Sequence, residues 1–255
     1  MKVLEILSGI YATRIYIPFS RVARKWKIVR NKIRGKEGKF VQEGTLPKAG
    51  WSACIKPRWA RLVETGKANG NVRVSELAIL AHAAAGCCSA DDIFEIGTFD
   101  GRTTLNLALN SEGPGKVFTL DLPPDQETKF DIAQGERHFV DKPVSGQRYL
   151  DAKNRYPDKV SRIEQLFGDS ATFDYSSYEG KCGLVFVDGS HAYDYAMSDT
   201  ETAMRLIRPG GTVIWHDYGV WKGVTTALEE LEQKENYGLR SIAGTSLVHW
   251  CKPTT

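Results

Sequence analysis

Short apolar runs alternate with amphipathic stretches along most of the chain. Ile93–Ile96, Val117–Leu120, Ile163–Phe167, Leu184–Val187 and Gly211–Tyr218 are β-prone runs of buried-strand length. Thr103–Asn110 follows the first run at helical periodicity. Tyr193–Ile207, with apolar residues at Ala196, Ala203, Leu206 and Ile207, reads as a second helix that Arg208-Pro209-Gly210-Gly211 stops. Two β-prone pieces around Gly244-Thr245-Ser246, within Leu239–Lys252, suit an antiparallel hairpin closing the sheet. Strands that alternate with helices predict a doubly wound, mostly parallel α/β sheet with helices on both faces. At 255 residues and 42% hydrophobic composition the chain can bury one sizeable core.

The first strand and its turn carry the most chemistry. In Phe94-Glu95-Ile96-Gly97-Thr98-Phe99-Asp100-Gly101-Arg102-Thr103-Thr104, Gly97 and Gly101 permit a tight turn and close approach of the backbone to a bound group. The second strand then delivers Asp121, followed by Leu122, where a carboxylate accepts hydrogen bonds from ribose hydroxyls in doubly wound folds. A dinucleotide turn has three glycines, G-x-G-x-x-G, around a pyrophosphate. This turn is G-x-x-x-G with Glu95 two residues before it, a setting that disfavours phosphate and suits a cationic amino-acid headgroup. S-adenosylmethionine carries such a group and no phosphate. Glu95, Gly97, Thr98, Phe99, Gly101, Thr103, Asp121 and Leu122 are therefore the candidate cofactor contacts.

Two further strands end in polar residues, Asp188-Gly189-Ser190-His191 and His216-Asp217. The crossover helix between them makes the strands parallel, so Asp188 and Asp217 open into one crevice at the carboxyl edge. Neighbouring strands lie about 4.8 Å apart, close enough for both carboxylates to share a divalent ion, Mg²⁺ or Mn²⁺ in preference to zinc. His191, at the start of the crossover helix, is the candidate general base, and Asp188 joins it in the catalytic set. His216 is either a third metal ligand or an orienter of Asp217. Asp169 and Ser170, after the third of these strands, are candidates both for a helix N-cap and for a cofactor contact.

The acid-x-G-x-x-x-G turn with an acid closing the next strand resembles the class I S-adenosylmethionine-dependent methyltransferases. Asp188-Gly189-Ser190-His191, Tyr193, Asp199, Pro209-Gly210-Gly211 and His216-Asp217 resemble one subgroup, which includes metal-dependent macrolide sugar O-methyltransferases and cephalosporin hydroxylase-like proteins. The resemblance covers roughly residues 75–252. It implies a seven-stranded Rossmann-like sheet, S-adenosylmethionine as cofactor and an O-methyl transfer to a hydroxyl of a small sugar-like or natural-product acceptor. It also implies Asp169 as the reader of the adenine amine, Asp188 also at the cofactor, Asp188 and Asp217 as metal ligands, and His191 as proton acceptor. The sugar enzymes place a glutamate where this chain has His216.

Composition adds a contrast. Residues 1–40 hold eleven Lys or Arg against two Glu, which leaves the remaining 215 residues net acidic in a chain of formal charge +3. Val22, Trp26, Val29 and Ile33 recur at helical spacing among Arg21, Arg24, Lys25, Lys27, Arg30, Lys32 and Arg34, the pattern of a basic amphipathic helix. Residues 1–45 thus read as an arm and 46–255 as the catalytic domain. The arm suits packing on its own domain, an anionic membrane surface, a protein partner or a second copy of the chain, with nucleic acid ranked last because the body is acidic. Five cysteines without a Cys-x-x-Cys spacing point to a reducing cytoplasm, and the protein is expected there or peripherally at a membrane surface. Glu5 and Arg14 interrupt the apolar start, which does not read as a signal peptide. The polar stretch Asp125–Pro157 suits either a helix on the sheet flank or a lid and acceptor wall. An NAD-dependent oxidoreductase and a non-catalytic binding protein on the same scaffold are the rival readings.

Overall fold

A computed structural model describes residues 44–66 and 72–254, together with Phe19, Val22 and Trp26. The rest of the expected amphipathic arm lies outside the described residues. Phe19, Val22 and Trp26 are helical and 68%, 55% and 71% exposed.

Eight strands form one sheet: β1 (Lys48–Ala49), β2 (Asp92–Ile96), β3 (Val117–Asp121), β4 (Ile163–Phe167), β5 (Cys182–Val187), β6 (Ile207–Trp215), β7 (Arg240–Ile242) and β8 (Val248–Cys251). Their spatial order is β1-β7-β8-β6-β5-β2-β3-β4. Strands β4, β3, β2, β5 and β6 run parallel, and β8 lies antiparallel between β6 and β7. The expected seven strands are present, and the two-residue β1 adds an eighth at the edge, parallel to β7. The eighth is too short to show as a periodic run.

Within residues 44–254 the α-helices are α1 (Trp51–Cys54), α2 (Val74–Ala84), α3 (Arg102–Asn110), α4 (Arg137–Val140), α5 (Gln147–Asp151), α6 (Pro157–Val160), α7 (Tyr193–Leu206) and α8 (Lys222–Glu235). Period-two alternation sorts the core. Ile93, Leu184, Phe186 and Ile214 pack with α2 and α3 on one face. Phe94, Ile96, Val185, Val187, Val213 and Trp215 pack with α7 and α8 on the other. Because both faces are covered, the central strands read as unbroken apolar runs.

Arg208-Pro209-Gly210-Gly211 does stop α7, and its residues continue directly as the first part of β6. Arg208 there donates to both carboxylate oxygens of Asp91, at 2.6 and 2.7 Å.

Register brings the functional strand ends level, since Ile96 pairs with both Leu120 and Val187, and Val187 pairs with Trp215. Gly97 lies one residue beyond this line at φ +99°, and a Cβ there would fall on the Asp188 carbonyl. The β2 turn thus sits directly on the β5 turn. Gly97→Ala is expected to cost about 3 kcal/mol or more, from backbone strain together with the clash. Urea unfolding checks this, and a loss under about 1 kcal/mol would contradict the close approach.

Candidate active site

At the carboxyl edge the ends of β5 and β6 place Asp188 and Asp217 side by side, and the loop into α7 folds His191 over them. One ligand atom from each of these three residues lies within 4.8 Å of the others, and among the described residues no other such group occurs. His191 Nε2 lies 2.6 Å from Asp217 Oδ2, while its Nδ1 meets Glu136 Oε1. Burial would lower the imidazole's pKa, but the bonds to Asp217 and Glu136 outweigh it and push the value up to about 9. The ring rests as an imidazolium and becomes a base on losing that proton. Trp221 stacks on it at 4.5 Å and 16°, and Phe139 approaches at 6.5 Å.

His216 lies against both aspartates, nearer Asp188 than the Asp217 it precedes. Its Nδ1 lies 2.8 Å from Asp188 Oδ1 and 3.5 Å from Asp217 Oδ2, and its Nε2 lies 3.4 Å from Glu76 Oε2. Both nitrogens are directed at carboxylates, and the three residues whose ligand atoms come together are Asp188, His191 and Asp217. Burial works against the charged ring, yet Asp188 and Asp217 hold its pKa well above the ordinary histidine value. Burial raises Asp188 despite His216, whereas for Asp217 the two histidines outweigh burial and lower it. Asp217 sits at φ +64°, a conformation non-glycine residues rarely adopt and one that recurs at functional sites.

Two carboxylates that sequence reasoning missed complete the cluster. Glu76, fully buried on α2, accepts from Ser246 N and Oγ, both at 2.8 Å, and pairs with Arg73. Burial would raise it, but Arg73 and His216 hold it well below the usual carboxylate range. Glu136 accepts from Ser190 Oγ at 2.8 Å, His191 N at 2.5 Å and Ala133 N at 2.7 Å. Arg73-x-x-Glu76 lacks the usual N-cap residue of a capping box, and Glu136 lies in a polar stretch without periodicity. Neither carried a signal.

The cofactor candidates surround the turn after β2. Gly101 caps α3 at φ +80°, and a Cβ there would strike Gly146 and Tyr149. Phe99, at φ +49°, meets Phe139 edge-on at 5.4 Å. Glu95 is directed into the helix-sheet interior: its Oε2 accepts from Thr104 at 2.5 Å and Thr119 at 2.7 Å, and its Oε1 is buried without a partner. Burial, against those two hydroxyls, raises its pKa to about 8. Thr98 Oγ1 joins the same network at 2.7 Å from Thr119 Oγ1. Thr103 is buried in the first turn of α3, and Leu122 is half-buried after β3. Asp121 faces the crevice with Lys142 Nζ 2.7 Å from its Oδ2.

Asp169 caps a turn, since no helix starts at Ala171 after β4. It caps the turn after β4 through Ala171 N at 3.0 Å, and also accepts from Tyr195 OH at 2.8 Å and Lys129 N at 2.7 Å. Ser170, half-buried, accepts through its carbonyl from Tyr175 OH at 3.1 Å. Behind it Asp199 is buried, with neither oxygen in hydrogen-bond geometry to a partner. Burial, partly offset by Ser170 and reinforced by Asp169, pushes its carboxyl up to about 7.

The stretch after β3 is not one helix, and its second half packs on α3, with Tyr149 against Leu105 and Leu109. It folds as α4, α5 and α6 with long connections, and its first half lies over the crevice through Lys129, Glu136, Phe139 and Lys142.

A pH dependence follows from Asp199. Its folded pKa is raised above its unfolded value of about 3.8, so its contribution is intact below pH 4 and lost as pH rises through 7. Asp199→Asn lacks this loss and is expected to be more stable than wild type at pH 8, by a few kcal/mol at roughly 1.4 kcal/mol per pKa unit, with near parity at pH 4. Urea unfolding at the two pH values measures it, and an equal difference at both would contradict a neutral buried acid.

Residues 94–218 match the family described as "Methyltransferase domain". No curated protein matches the chain. Among solved structures, the O-methyltransferase NovP is 15% identical over 71% of this chain and 81% of its own, with a TM-score of 0.52. CalS11, a calicheamicin methyltransferase, is 15% identical over 69% and 77%, also at 0.52. At that identity the likeness is one of fold, and it agrees with the strand order above. The family match spans the glycine turn, Asp121, Asp169 and the Asp188/His191/Asp217 cluster, and on it this chain carries a methyltransferase domain of the class I, Rossmann-like type.

Proposed function

We propose that the protein is an S-adenosylmethionine-dependent O-methyltransferase acting on a hydroxyl of a small sugar-like or natural-product acceptor. The observation that carries this is the convergence, at one carboxyl edge, of a nucleoside turn closed by Asp121 with an Asp-His-Asp cluster walled by Trp221 and Phe139. The turn from Gly97 to Gly101, with Thr98 and Phe99, carries the methionine end, Asp121 the ribose and Asp169 the adenine. Glu95 supports this turn from within, where burial favours its protonated form and its Oε1 has no partner.

The acceptor hydroxyl approaches His191 at the Asp188/Asp217 pair. The bound cofactor would supply the activated methyl group and retain the carbon-sulfur electron pair as a neutral thioether, while Nε2 of the neutral His191 ring would accept the hydroxyl proton. Glu136 fixes the imidazole at Nδ1, so Nε2 points where the proton leaves. Two neighbouring carboxylates fit Mg²⁺ or Mn²⁺, which Asp188 and Asp217 would hold, with His191 beside them kept as the proton acceptor. Such an ion would supply positive charge that lowers the hydroxyl's pKa. The cofactor brings the leaving group, and the protein supplies orientation and charge.

Calorimetry with S-adenosylmethionine, S-adenosylhomocysteine and NAD⁺, each with and without Mg²⁺, tests the reading. Binding of the first two in the micromolar range (about 8 kcal/mol) and none of NAD⁺ is expected, with Asp121→Ala weaker by about tenfold or more. Binding of NAD⁺ alone would favour the oxidoreductase, and binding of none the non-catalytic scaffold.

The basic arm, by its charge and its apolar spacing, fits an anionic membrane surface or a protein partner better than nucleic acid, consistent with a cytoplasmic protein that associates peripherally or pairs with a second copy. No helix among the described residues is long and apolar enough to cross a membrane. Deleting residues 1–43 is expected to reduce sedimentation with phosphatidylserine vesicles in low salt. Equal sedimentation of both forms would remove the membrane surface from this reading.

A further inference from the structure

The segment over the crevice is anchored at the groups a nucleoside would use. Lys142 Nζ lies 2.7 Å from Asp121 Oδ2, with the two side chains only 10% and 8% exposed. The backbone N–H of Lys129 donates to Asp169 Oδ2 at 2.7 Å. The Lys142 contact is an ion pair outside hydrogen-bond geometry, so Asp121 Oδ2 is buried with its accepting capacity unused. Asp169, by contrast, has both oxygens filled, and Lys129 N–H is the one of its three donors that belongs to the covering segment.

A buried carboxylate without a partner is costly, and a carboxylate built to read a ligand lacks its partner whenever the ligand is away. The covering segment removes that cost by placing a cation on Asp121 and an amide on Asp169. Its far end is pinned independently, with Gly146 N on Phe99 O at 2.9 Å and Arg148 Nε on Asp100 Oδ2 at 2.7 Å.

We propose that residues 125–146 are an exchangeable cover, in which the Lys142 ammonium and the Lys129 amide stand in for the nucleoside's donors on Asp121 and Asp169 and are displaced when the cofactor binds. The inference rests on the nucleoside reading of those two carboxylates. It makes cofactor affinity a competition: the apparent affinity is the intrinsic one reduced by the fraction of time the cover is withdrawn. The ribose hydroxyls also supply the directional bond to Asp121 that the ammonium does not make. Residues 125–146 would then regulate access to the site.

The test is S-adenosylhomocysteine binding by calorimetry to the full chain and to Lys142→Met and Lys142→Arg. Methionine retains the reach and apolar stem of lysine but cannot neutralise Asp121, so Lys142→Met is expected to bind about tenfold more tightly, whereas Lys142→Arg stays near wild type. Equal or weaker binding by Lys142→Met would overturn the exchange. Absence of binding to all three proteins would instead defeat the nucleoside reading. Amide hydrogen exchange without ligand separates the two failures, because release of the cover in Lys142→Met should speed exchange at Lys129 and its neighbours. Unchanged exchange there would overturn the inference whatever the ligand does.

Discussion

Positive and negative groups alternate through the carboxyl edge of this protein, and the rest of the site is arranged around them. Arg73 pairs with Glu76, Glu76 faces His216, His216 faces Asp188 and Asp217, and Asp217 holds His191, which Glu136 holds from the other side. Each charge is stable in the interior because its neighbours have the opposite sign. Buried pairs of this kind add little net stability over an apolar core, but removing one member leaves its partner uncompensated, at about 3–5 kcal/mol. The chain of charges therefore specifies geometry more than it contributes stability. It keeps both imidazoles protonated, fixes which oxygen of Asp188 and Asp217 faces inward, and leaves a compact acidic focus where a hydroxyl or a divalent ion can be received.

Distant parts of the sequence must meet for this to happen. The start of α2 brings Glu76, the level ends of β5 and β6 bring the two aspartates, and the segment after β3 brings Glu136. The parallel register that places Val187 against Trp215 sets Asp188 level with His216, with Asp217 one residue further on. Asp217 nevertheless takes a left-handed backbone conformation, so the turn after β6 is held in place by its contacts and not by local preference.

The sequence made the scaffold and the sheet-borne half of the site legible because both obey short-range rules. Buried strands announce themselves as apolar runs, a glycine pair marks the turn, and a crossover helix forces Asp188 and Asp217 to one edge. The other half depends on contacts between residues far apart in the chain. Glu76 sits in a helix whose buried residues are mostly apolar, 140 residues from His216. Glu136 and Lys142 lie in a stretch with no periodicity, where only the folded chain reveals what each side chain meets. Adjacency to Asp217 does not say which way the His216 ring turns; in the fold it turns to Asp188 and Glu76. The same limit applied to Glu95, whose place before the glycine turn suggested a direct contact with the cofactor, while Thr104 and Thr119 hold it in the interior.

The most direct test of this account is a crystal structure of the protein with S-adenosylhomocysteine and Mn²⁺, recorded with anomalous data. The account predicts nucleoside density between the Gly97 turn and Asp121, and an anomalous peak bounded by Asp188, Asp217 and His191. Density for the nucleoside elsewhere, or a peak away from that cluster with the cluster's ion pairs intact, would contradict it.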